Sequence, residues 1–338
     1  MSGLANDRRG YKYACCLTSQ SSPIPPPPPP CPPITVSDIA TFRSEEWVLD
    51  KTTTIKACQT LIIPLQLTFV IPVGFNLINN GTINIDGGTI INRSNLYNIG
   101  GVININNNGS LTNNLILIND NSVITVNISG LITNINFIFN TNECTINNYG
   151  TINNNNGNIA LLNNSIFTNN NIINNNATLN TGSGSTLTNL GVFNNNNTGI
   201  LNNVATFYNY NTFNNNGSIT NNGVMFNSKV GIFTVGIFTN NSILYNSNGA
   251  LLNSTACTFI NNNVIINNYN GLFNNGAGGY ITNNASATIY NIGNSTIINF
   301  GYVTNNGIIN NADGLSSCGI GFLTGSPPII PTGTTCPP

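Results

Sequence analysis

The chain has 338 residues, of which only 5% are charged; it contains no histidine, and its formal net charge is −1. Binding to nucleic acid or to an anionic membrane surface needs a basic patch, and Lys229 is the single basic residue between Ser94 and Pro338. The composition therefore argues against nucleic acid as a partner and against membrane insertion, since no apolar run reaches the length of a membrane span. A surface with so little charge also has little colloidal repulsion, which favours self-association.

Residues 1–33 form a predicted Pro-rich, cysteine-containing N-terminal arm. The cysteine pair Cys15 and Cys16 precedes a proline run, Pro25–Pro30, which is followed directly by Cys31. A proline run adopts an extended polyproline helix and acts as a stiff spacer. The arm is therefore predicted to hold its thiols away from the rest of the chain, within reach of a neighbouring subunit.

Residues 34–56 carry a dense group of charged residues and the single tryptophan of the chain, Trp47. The first coil of a repeat array would otherwise expose its apolar core and unpaired strand edges. We therefore predict a charged cap in which Trp47, Glu45 and Glu46 are the characteristic residues. Adjacent residues of a strand point to opposite faces, so Glu45 and Glu46 are not expected to act as a catalytic pair.

Residues 57–311 repeat short apolar segments that end in Asn-Asn, Asn-Asn-Gly or Asn-Asn-Asn. Such self-similarity is typical of a repeat array, and the segments are too short and too rich in β-branched and aromatic residues to be helices. We predict an all-β fold, a right-handed parallel β-helix (β-solenoid) with inward-pointing apolar residues and Asn-rich corners. Stacked asparagines would form hydrogen-bonded ladders. Three segments would make a coil of about 20 residues and the region about a dozen coils; a flattened, two-sided coil of about 13 residues is the alternative.

Four stretches of this region resemble a known repeat. They are Gln59–Pro64 (QTLIIP), Asn79–Asn84 (NNGTIN), Gly150–Asn153 (GTIN) and Asn216–Asn221 (NGSITN). They look like the Asn-rich parallel β-helix repeats of filamentous-haemagglutinin-type adhesins, and similar repeats occur in giant DNA viruses and in spore-forming bacteria. The resemblance covers about Ile55 to Asn311, and it implies a β-helix and a surface location.

Residues 312–338 form a predicted Gly/Pro-rich tail that mirrors the N-terminal arm, with Cys318 and Cys336. Cysteines near both ends of a solenoid suggest head-to-tail linkage, a heterologous contact that yields filaments when its rotation does not close. The candidates for intermolecular disulfides are Cys15, Cys16, Cys31, Cys318 and Cys336. Cys144 and Cys257 lie beside apolar strand positions and are predicted to be small buried residues.

Catalysis on a β-helix needs carboxylates as acid, base or metal ligands, with Lys or Arg to stabilise developing charge. Between Asn76 and Asn311 the charged residues are Asp86, Arg93, Asp120, Glu143 and Lys229. Asp86 and Asp120 replace corner asparagines and lie nearly two coils apart, and Glu143 follows another coil later. We therefore expect no enzymatic activity, no catalytic or metal site and no cofactor.

The function most consistent with these features is that of a non-catalytic structural subunit of a surface fibre, appendage or particle coat, with further copies of itself as partners. An adhesin or carbohydrate-binding rod is the alternative, with surface glycans bound by exposed tyrosines; an ice-binding protein, with arrays of Thr and Asn on one face, is a further one. The candidate tyrosines are Tyr208, Tyr210, Tyr245, Tyr269, Tyr280 and Tyr302. No apolar run follows Arg8-Arg9, so we expect an extracellular, virion-surface or spore-surface location without a conventional signal peptide.

Overall fold

The computed structural model describes residues 31–230, 234–311 and 322–325. The chain divides into two compact units, Met1–Pro32 and Pro33–Pro338, and the elements described below all belong to the second. The described residues of that unit form β-strands and one short 3₁₀ helix, Val36–Asp38. The predicted all-β fold is confirmed.

The strands are short and closely spaced along the chain. The first are β1 (Ala40–Arg43), β2 (Glu46–Leu49), β3 (Thr53–Ile55), β4 (Thr60–Pro64), β5 (Thr68–Ile71), β6 (Asn76–Asn79), β7 (Thr82–Asp86), β8 (Thr89–Asn92), β9 (Asn95–Ile99), β10 (Val102–Asn106), β11 (Ser110–Asn113), β12 (Ile116–Asp120), β13 (Val123–Val126) and β14 (Leu131–Asn134). The next are β15 (Phe137–Thr141), β16 (Thr145–Asn148), β17 (Thr151–Asn154), β18 (Asn158–Leu161), β19 (Ile166–Asn169), β20 (Ile172–Asn175), β21 (Thr178–Thr181), β22 (Thr186–Asn189), β23 (Val192–Asn195), β24 (Ile200–Asn203), β25 (Thr206–Asn209), β26 (Thr212–Asn215), β27 (Ser218–Asn221) and β28 (Val224–Asn227). The last are β29 (Lys229–Val230), β30 (Thr234–Val235), β31 (Ile237–Asn240), β32 (Ile243–Ser247), β33 (Ala250–Asn253), β34 (Thr258–Asn261), β35 (Val264–Asn268), β36 (Leu272–Asn275), β37 (Tyr280–Asn283), β38 (Thr288–Asn291), β39 (Thr296–Asn299), β40 (Tyr302–Asn305), β41 (Ile308–Asn311) and β42 (Phe322–Gly325).

These strands form three long sheets that are the three faces of a solenoid. Sheet A has the order β1-β2-β5-β8-β11-β14-β17-β20-β23-β26-β31-β34-β37-β40-β42; sheet B has the order β3-β6-β9-β12-β15-β18-β21-β24-β27-β32-β35-β38-β41; sheet C has the order β4-β7-β10-β13-β16-β19-β22-β25-β28-β33-β36-β39. The β1–β2 pairing at the start of sheet A is antiparallel, whereas the coils stack on one another in parallel. The two-stranded antiparallel pair β29–β30 lies between β28 and β31 in the chain.

From β2 to β28, and again from β31 to β41, consecutive strands belong to consecutive sheets, so three strands complete one coil. In sheet C, Ile83 pairs with Ile103 and Ile103 with Ile124, which are steps of 20 and 21 residues. The predicted three-sided coil of about 20 residues is therefore confirmed, and the two-sided coil of about 13 residues is wrong. We call the strand that one coil contributes to a sheet a rung. Strand β42 continues sheet A beside β40, so the predicted tail of residues 312–338 contains one further rung.

In most strands, buried and outward-facing residues alternate, and the buried ones form the core. In the common four-residue strand the second and fourth residues are buried, and the first and third face outward. The second position holds Leu, Ile or Phe in most of these strands, and from the middle of the solenoid onward large aromatic side chains stack in sheet A. The ring centroids of Phe193 and Phe213 lie 5.0 Å apart, those of Phe213 and Phe238 4.7 Å, and those of Phe238 and Phe259 4.6 Å.

The expectation that the apolar residues of the repeat point inward is wrong for those at first and third positions. Ile166, Ile172, Ile200 and Phe226 face outward, and Ile166 and Ile200 are 44% and 41% exposed. The physical reason is the period of two along a strand, which turns only one residue of each apolar pair into the core.

The stacked phenylalanines are expected to contribute strongly to stability. Truncation of Phe238, which is 1% exposed, to alanine removes its contacts with the rings above and below and leaves a cavity, so Phe238→Ala should lower the free energy of unfolding by ~3–5 kcal/mol. Guanidinium unfolding followed by circular dichroism measures the change.

The adjacent Ile237 provides the control, because it faces outward and is 40% exposed. Ile237→Ala should cost less than ~1 kcal/mol. Equal losses in the two variants would contradict the assignment of inward and outward positions.

Candidate functional site

Buried asparagines at the strand ends are the most regular feature of the described chain. In sheet A, Asn92 donates one Nδ2 hydrogen to Oδ1 of Asn113 at 2.7 Å and the other to the backbone oxygen of Ile116 at 2.8 Å. Its own Oδ1 accepts the backbone N–H of Ser94 at 3.2 Å. Asn113 repeats the pattern with Asn134 at 2.9 Å. Each carboxamide is therefore satisfied by its own turn and by the coil that follows.

One such ladder follows each sheet. The ladder of sheet A is continuous through Asn92, Asn113, Asn134, Asn154, Asn175, Asn195, Asn215, Asn240, Asn261, Asn283 and Asn305. In sheet B the ladder is interrupted at Leu161 and begins again at Thr181, whose hydroxyl donates to Oδ1 of Asn203. In sheet C the same position is apolar in the first coils and becomes asparagine at Asn148. The predicted ladders are confirmed, and their nearly complete burial is a feature that sequence reasoning missed.

A second set of asparagines serves the turns. Asn107, Asn108, Asn163 and Asn164 have φ of 51°, 65°, 51° and 62°, a backbone conformation that asparagine tolerates better than most residues. These residues lie outside the strands, whereas the ladder asparagines are strand residues. Two physical roles are therefore clear: some asparagines are partners to another carboxamide inside the coil, and others form left-handed turns outside the strands.

The predicted cap residues lie in the β1–β2 hairpin. Glu45 occupies the turn with φ of 67°, Glu46 pairs with Arg43 across the hairpin, and Trp47 packs against the hydrophobic core. The rings of Trp47 and Phe42 are 5.5 Å apart. The hairpin pairs with β5 through β2 and so extends sheet A, with β1 as its first edge strand.

The 3₁₀ helix before this hairpin is fixed by its own cap. The hydroxyl and the backbone N–H of Thr35 both donate to Oδ2 of Asp38 at 2.7 Å. These two hydrogen bonds, the hydroxyl first, hold the pKa of the Asp38 carboxyl below its usual value. Arg43 forms a surface ion pair with Asp50 at 3.3 Å. The charged residues of this segment thus take part in local structural contacts.

The three carboxylates of the repeat region do not converge. Asp86 ends β7 in sheet C and accepts a hydrogen bond from Asn106 at 2.8 Å, while Asp120 ends β12 in sheet B and accepts one from Asn142 at 2.7 Å. Only Asp120 and Glu143 share a surface, a shallow cleft otherwise lined by asparagines. Across the described ranges, no group of three or more His, Cys, Asp or Glu residues is placed to hold a metal ion.

Cys144 lies directly before a strand of sheet C, in a column of small residues that includes Ser122 and Ser165 on the neighbouring coils. Its Sγ contacts the backbone oxygen of Asn119 at 3.0 Å and Oδ1 of Asn140 at 2.8 Å, much as the Ser122 hydroxyl contacts the preceding coil. Burial raises the pKa of the Cys144 thiol to about 11. The prediction of a small buried residue is confirmed here and for Cys257, which is 0% exposed.

The remaining cysteines divide into two groups. Cys31 and Cys58 are disulfide-bonded. The other candidates for intermolecular disulfides, Cys15, Cys16, Cys318 and Cys336, lie outside the described residues. A disulfide indicates an oxidising environment such as the extracellular space. Intermolecular linkage through Cys15, Cys16, Cys31, Cys318 and Cys336 is not tested by the described residues and stays a prediction.

The predicted sugar-contacting tyrosines are distributed over all three faces. Tyr280 and Tyr302 stack on sheet A with ring centroids 5.1 Å apart, and Tyr208 stacks on Tyr210 at 5.7 Å on the side of sheet C. Tyr245 faces outward from sheet B, and Tyr269 lies in a turn, 69% exposed. Burial raises the pKa of Tyr210. The structure therefore brings four of these six tyrosines together in two pairs, and it does not place the six in one groove.

Removal of a ladder asparagine should lower the free energy of unfolding far more than removal of the neighbouring outward asparagine. Asn195 accepts from Asn175 and donates to Asn215, both at 2.8 Å. Asn195→Ala leaves buried polar atoms unpaired above and below, so we expect a loss of ~2–4 kcal/mol in the free energy of unfolding, measured by guanidinium denaturation.

Asn194 is the matched control, because it precedes Asn195 directly and hydrogen-bonds Asn174 at 2.9 Å on the half-buried outer face. Asn194→Ala should cost under ~1 kcal/mol, since water replaces the lost partners. A tolerated Asn195→Ala would show that the ladders add little.

The Cys144 thiol should be inert in the folded protein and should make stability depend on alkaline pH. Its folded pKa of about 11 lies above the usual value of 9.0, so its stabilising contribution is present below pH 9 and is lost as the pH rises towards 11. We expect no alkylation of Cys144 by iodoacetamide at pH 8 without denaturant, as read by mass spectrometry. Cys144→Ser, which retains a hydrogen-bonding group, should lack this part of the alkaline loss; rapid labelling of the native protein would contradict the assigned burial.

No helix among the described residues has the length and apolarity to cross a membrane.

No protein-family model matches the chain, and no curated protein matches it. A crystal structure of a TibC-catalyzed hyper-glycosylated fragment of TibA is similar at 17% sequence identity and a TM-score of 0.26, over 80% of this chain and 94% of the fragment. A TM-score this low supports no conclusion about this chain. The Asn-rich parallel β-solenoid is established by the structure itself, and the resemblance to haemagglutinin-type repeats remains a prediction.

Proposed function

We propose that the protein is a non-catalytic structural subunit of a surface fibre, appendage or particle coat on a virion or spore, assembled by stacking of solenoids and linked by cysteines of the terminal segments. The observation that carries this proposal is the set of buried asparagine ladders, which join each coil to the next through side chains as well as through backbone pairing.

The ladders and sheets together make the solenoid mechanically continuous along its axis. Each coil adds backbone hydrogen bonds to the coil before it, and the ladder adds side-chain hydrogen bonds. Each hydrogen bond contributes a net ~1 kcal/mol to stability. Few titratable groups are present, so few can destabilise the fold when the pH changes. A subunit of this kind suits a structural role, which requires a stable fold and no catalysis.

The ends of the sheets support stacking of one copy on another. Among the described strands, β3 and β4 are the first strands of sheets B and C, and β41 and β39 are the last. A terminal strand presents unpaired backbone groups that another chain can extend. In sheet A the first edge strand is β1, which pairs antiparallel with β2. Head-to-tail contact would therefore continue the parallel pairing of sheets B and C only.

Carbohydrate binding is the second candidate, and one observation favours it. The rings of Tyr280 and Tyr302 are nearly parallel, with an interplanar angle of 10°, and both side chains are more than 40% exposed. Together they make a flat aromatic surface on sheet A, and large amphipathic rings of this kind are common at binding surfaces.

Electron microscopy of purified protein with and without reductant, together with non-reducing gels, distinguishes the two functions. We expect filaments or covalent ladders under oxidising conditions that collapse on reduction. They should also be lost in the Cys15→Ser/Cys16→Ser variant, because the proposed links depend on thiols of the N-terminal segment.

Cys144→Ser serves as the matched control, since a buried thiol should not affect assembly. Dispersed single particles under both redox conditions would contradict the fibre proposal. Glycan-array binding by those particles, lost in Tyr280→Ala/Tyr302→Ala, would favour the carbohydrate-binding rod instead.

A further inference from the structure

The outward face of sheet B has an apolar, polar, apolar pattern along the solenoid. Its first four complete rungs, β6, β9, β12 and β15, present Ile78, Tyr97, Ile99, Ile116, Ile118, Phe137 and Phe139. Its last four, β32, β35, β38 and β41, present Ile243, Tyr245, Val264, Ile266, Tyr290 and Ile308. The four rungs between them, β18, β21, β24 and β27, present mainly Asn, Thr and Ser.

These apolar side chains are accessible. Phe137 is 39% exposed, Tyr290 37% and Ile308 55%, and the rings of Phe137 and Phe139 stack at 5.6 Å. The strands from β6 to β41 contribute a single charged residue to this sheet, Asp120 at the end of β12. Covering the face therefore removes apolar surface from water while desolvating almost no charge.

The order of the rungs makes this face complementary to itself. A two-fold axis along the strand direction, between β21 and β24, places β6 opposite β41, β9 opposite β38, β12 opposite β35 and β15 opposite β32. Ile118 then faces Ile266, Tyr97 faces Tyr290 and Phe139 faces Tyr245, while the polar rungs meet one another. An isologous contact requires this kind of self-complementarity.

The area is sufficient for a stable dimer. Twelve rungs at ~4.8 Å and four residues at ~3.3 Å give a face of about 53 by 13 Å, or ~700 Å² per partner. The total of ~1,400 Å² lies within the range of standard protein–protein interfaces. A regular rung spacing in both copies also keeps all twelve rungs in register.

We propose that the outward face of sheet B is a dimer interface, in which a second copy of the chain packs face to face with its solenoid axis antiparallel. The proposal does not depend on the fibre function, because the contact uses neither the terminal cysteines nor the ends of the sheets. It adds a lateral association to the axial one proposed above.

Sedimentation equilibrium of the full chain in reductant, which removes disulfide links, tests the dimer separately from the fibre. The parent protein should be dimeric at about 50 μM, and Ile266→Glu should weaken association at least about 100-fold, because it buries an unpaired charge twice in the symmetric interface. Ile260→Glu is the matched control: Ile260 has the same third position in β34, on sheet A. It should leave the dimer intact.

A monomeric parent protein, or equal effects of the two glutamate substitutions in variants whose circular dichroism shows intact β-structure, would overturn the proposal.

The orientation of the two copies is tested by cross-linking with a short bis-maleimide in a Cys15/Cys16/Cys318/Cys336→Ser background. Mixed Ile118→Cys and Ile266→Cys chains should cross-link to each other. Cross-linking of Ile118→Cys chains to themselves alone would overturn the antiparallel arrangement.

Discussion

The structure depends on one constraint: a carboxamide buried inside a coil needs hydrogen-bonding partners in the coils above and below it. Asparagine meets this need because its side chain has two donors and an acceptor on a short stem. Asn154, for example, accepts from Asn134, donates to Asn175 and also donates to the backbone of Thr178. Shifting one strand by a single residue would turn its asparagine to the outer face. The ladders therefore fix the register of every strand that they join.

The core and the ladders restrict the residue types at the inward positions of a strand. The residue types at its first and third positions, which face outward, can vary. Their variation differs between faces: sheet A carries an outward column of asparagines through Asn153, Asn174, Asn194 and Asn214, whereas sheet B carries aromatic and aliphatic residues at both of its ends. Since the core is nearly invariant from coil to coil, it carries little information about partners. Specific recognition by this solenoid has to come from the outward positions and from the ends of the sheets.

The sequence was sufficient to predict the parallel β-solenoid, its three-sided coil and its asparagine ladders, because each follows from a local repeat and from the chemistry of one residue type. It was not sufficient to assign the inward member of an apolar pair. Ile172 and Ile173 are chemically identical, and only the pairing register places Ile173 in the core and Ile172 outside. The association of Asp120 with Glu143 was missed for a related reason, because it depends on how turns of adjacent coils align. The complete burial of the ladder asparagines was missed because a polar residue at a strand end is ordinarily expected at the surface.

The scarcity of charge connects the fold to association. Contacts between charged surfaces weaken as salt screens them, within about 8 Å at physiological ionic strength, whereas burial of apolar rungs and pairing of strand edges are almost insensitive to salt. For a protein with a net charge of −1, the association proposed above would therefore depend on shape and on hydrogen-bond register. Each coil has the same spacing as the one before it. Two copies in register can therefore form the same kind of contact at every rung. In the proposed dimer, weak contacts per rung would thus add along the axis, and the number of coils, more than the strength of any single contact, would determine the affinity of the two copies for each other.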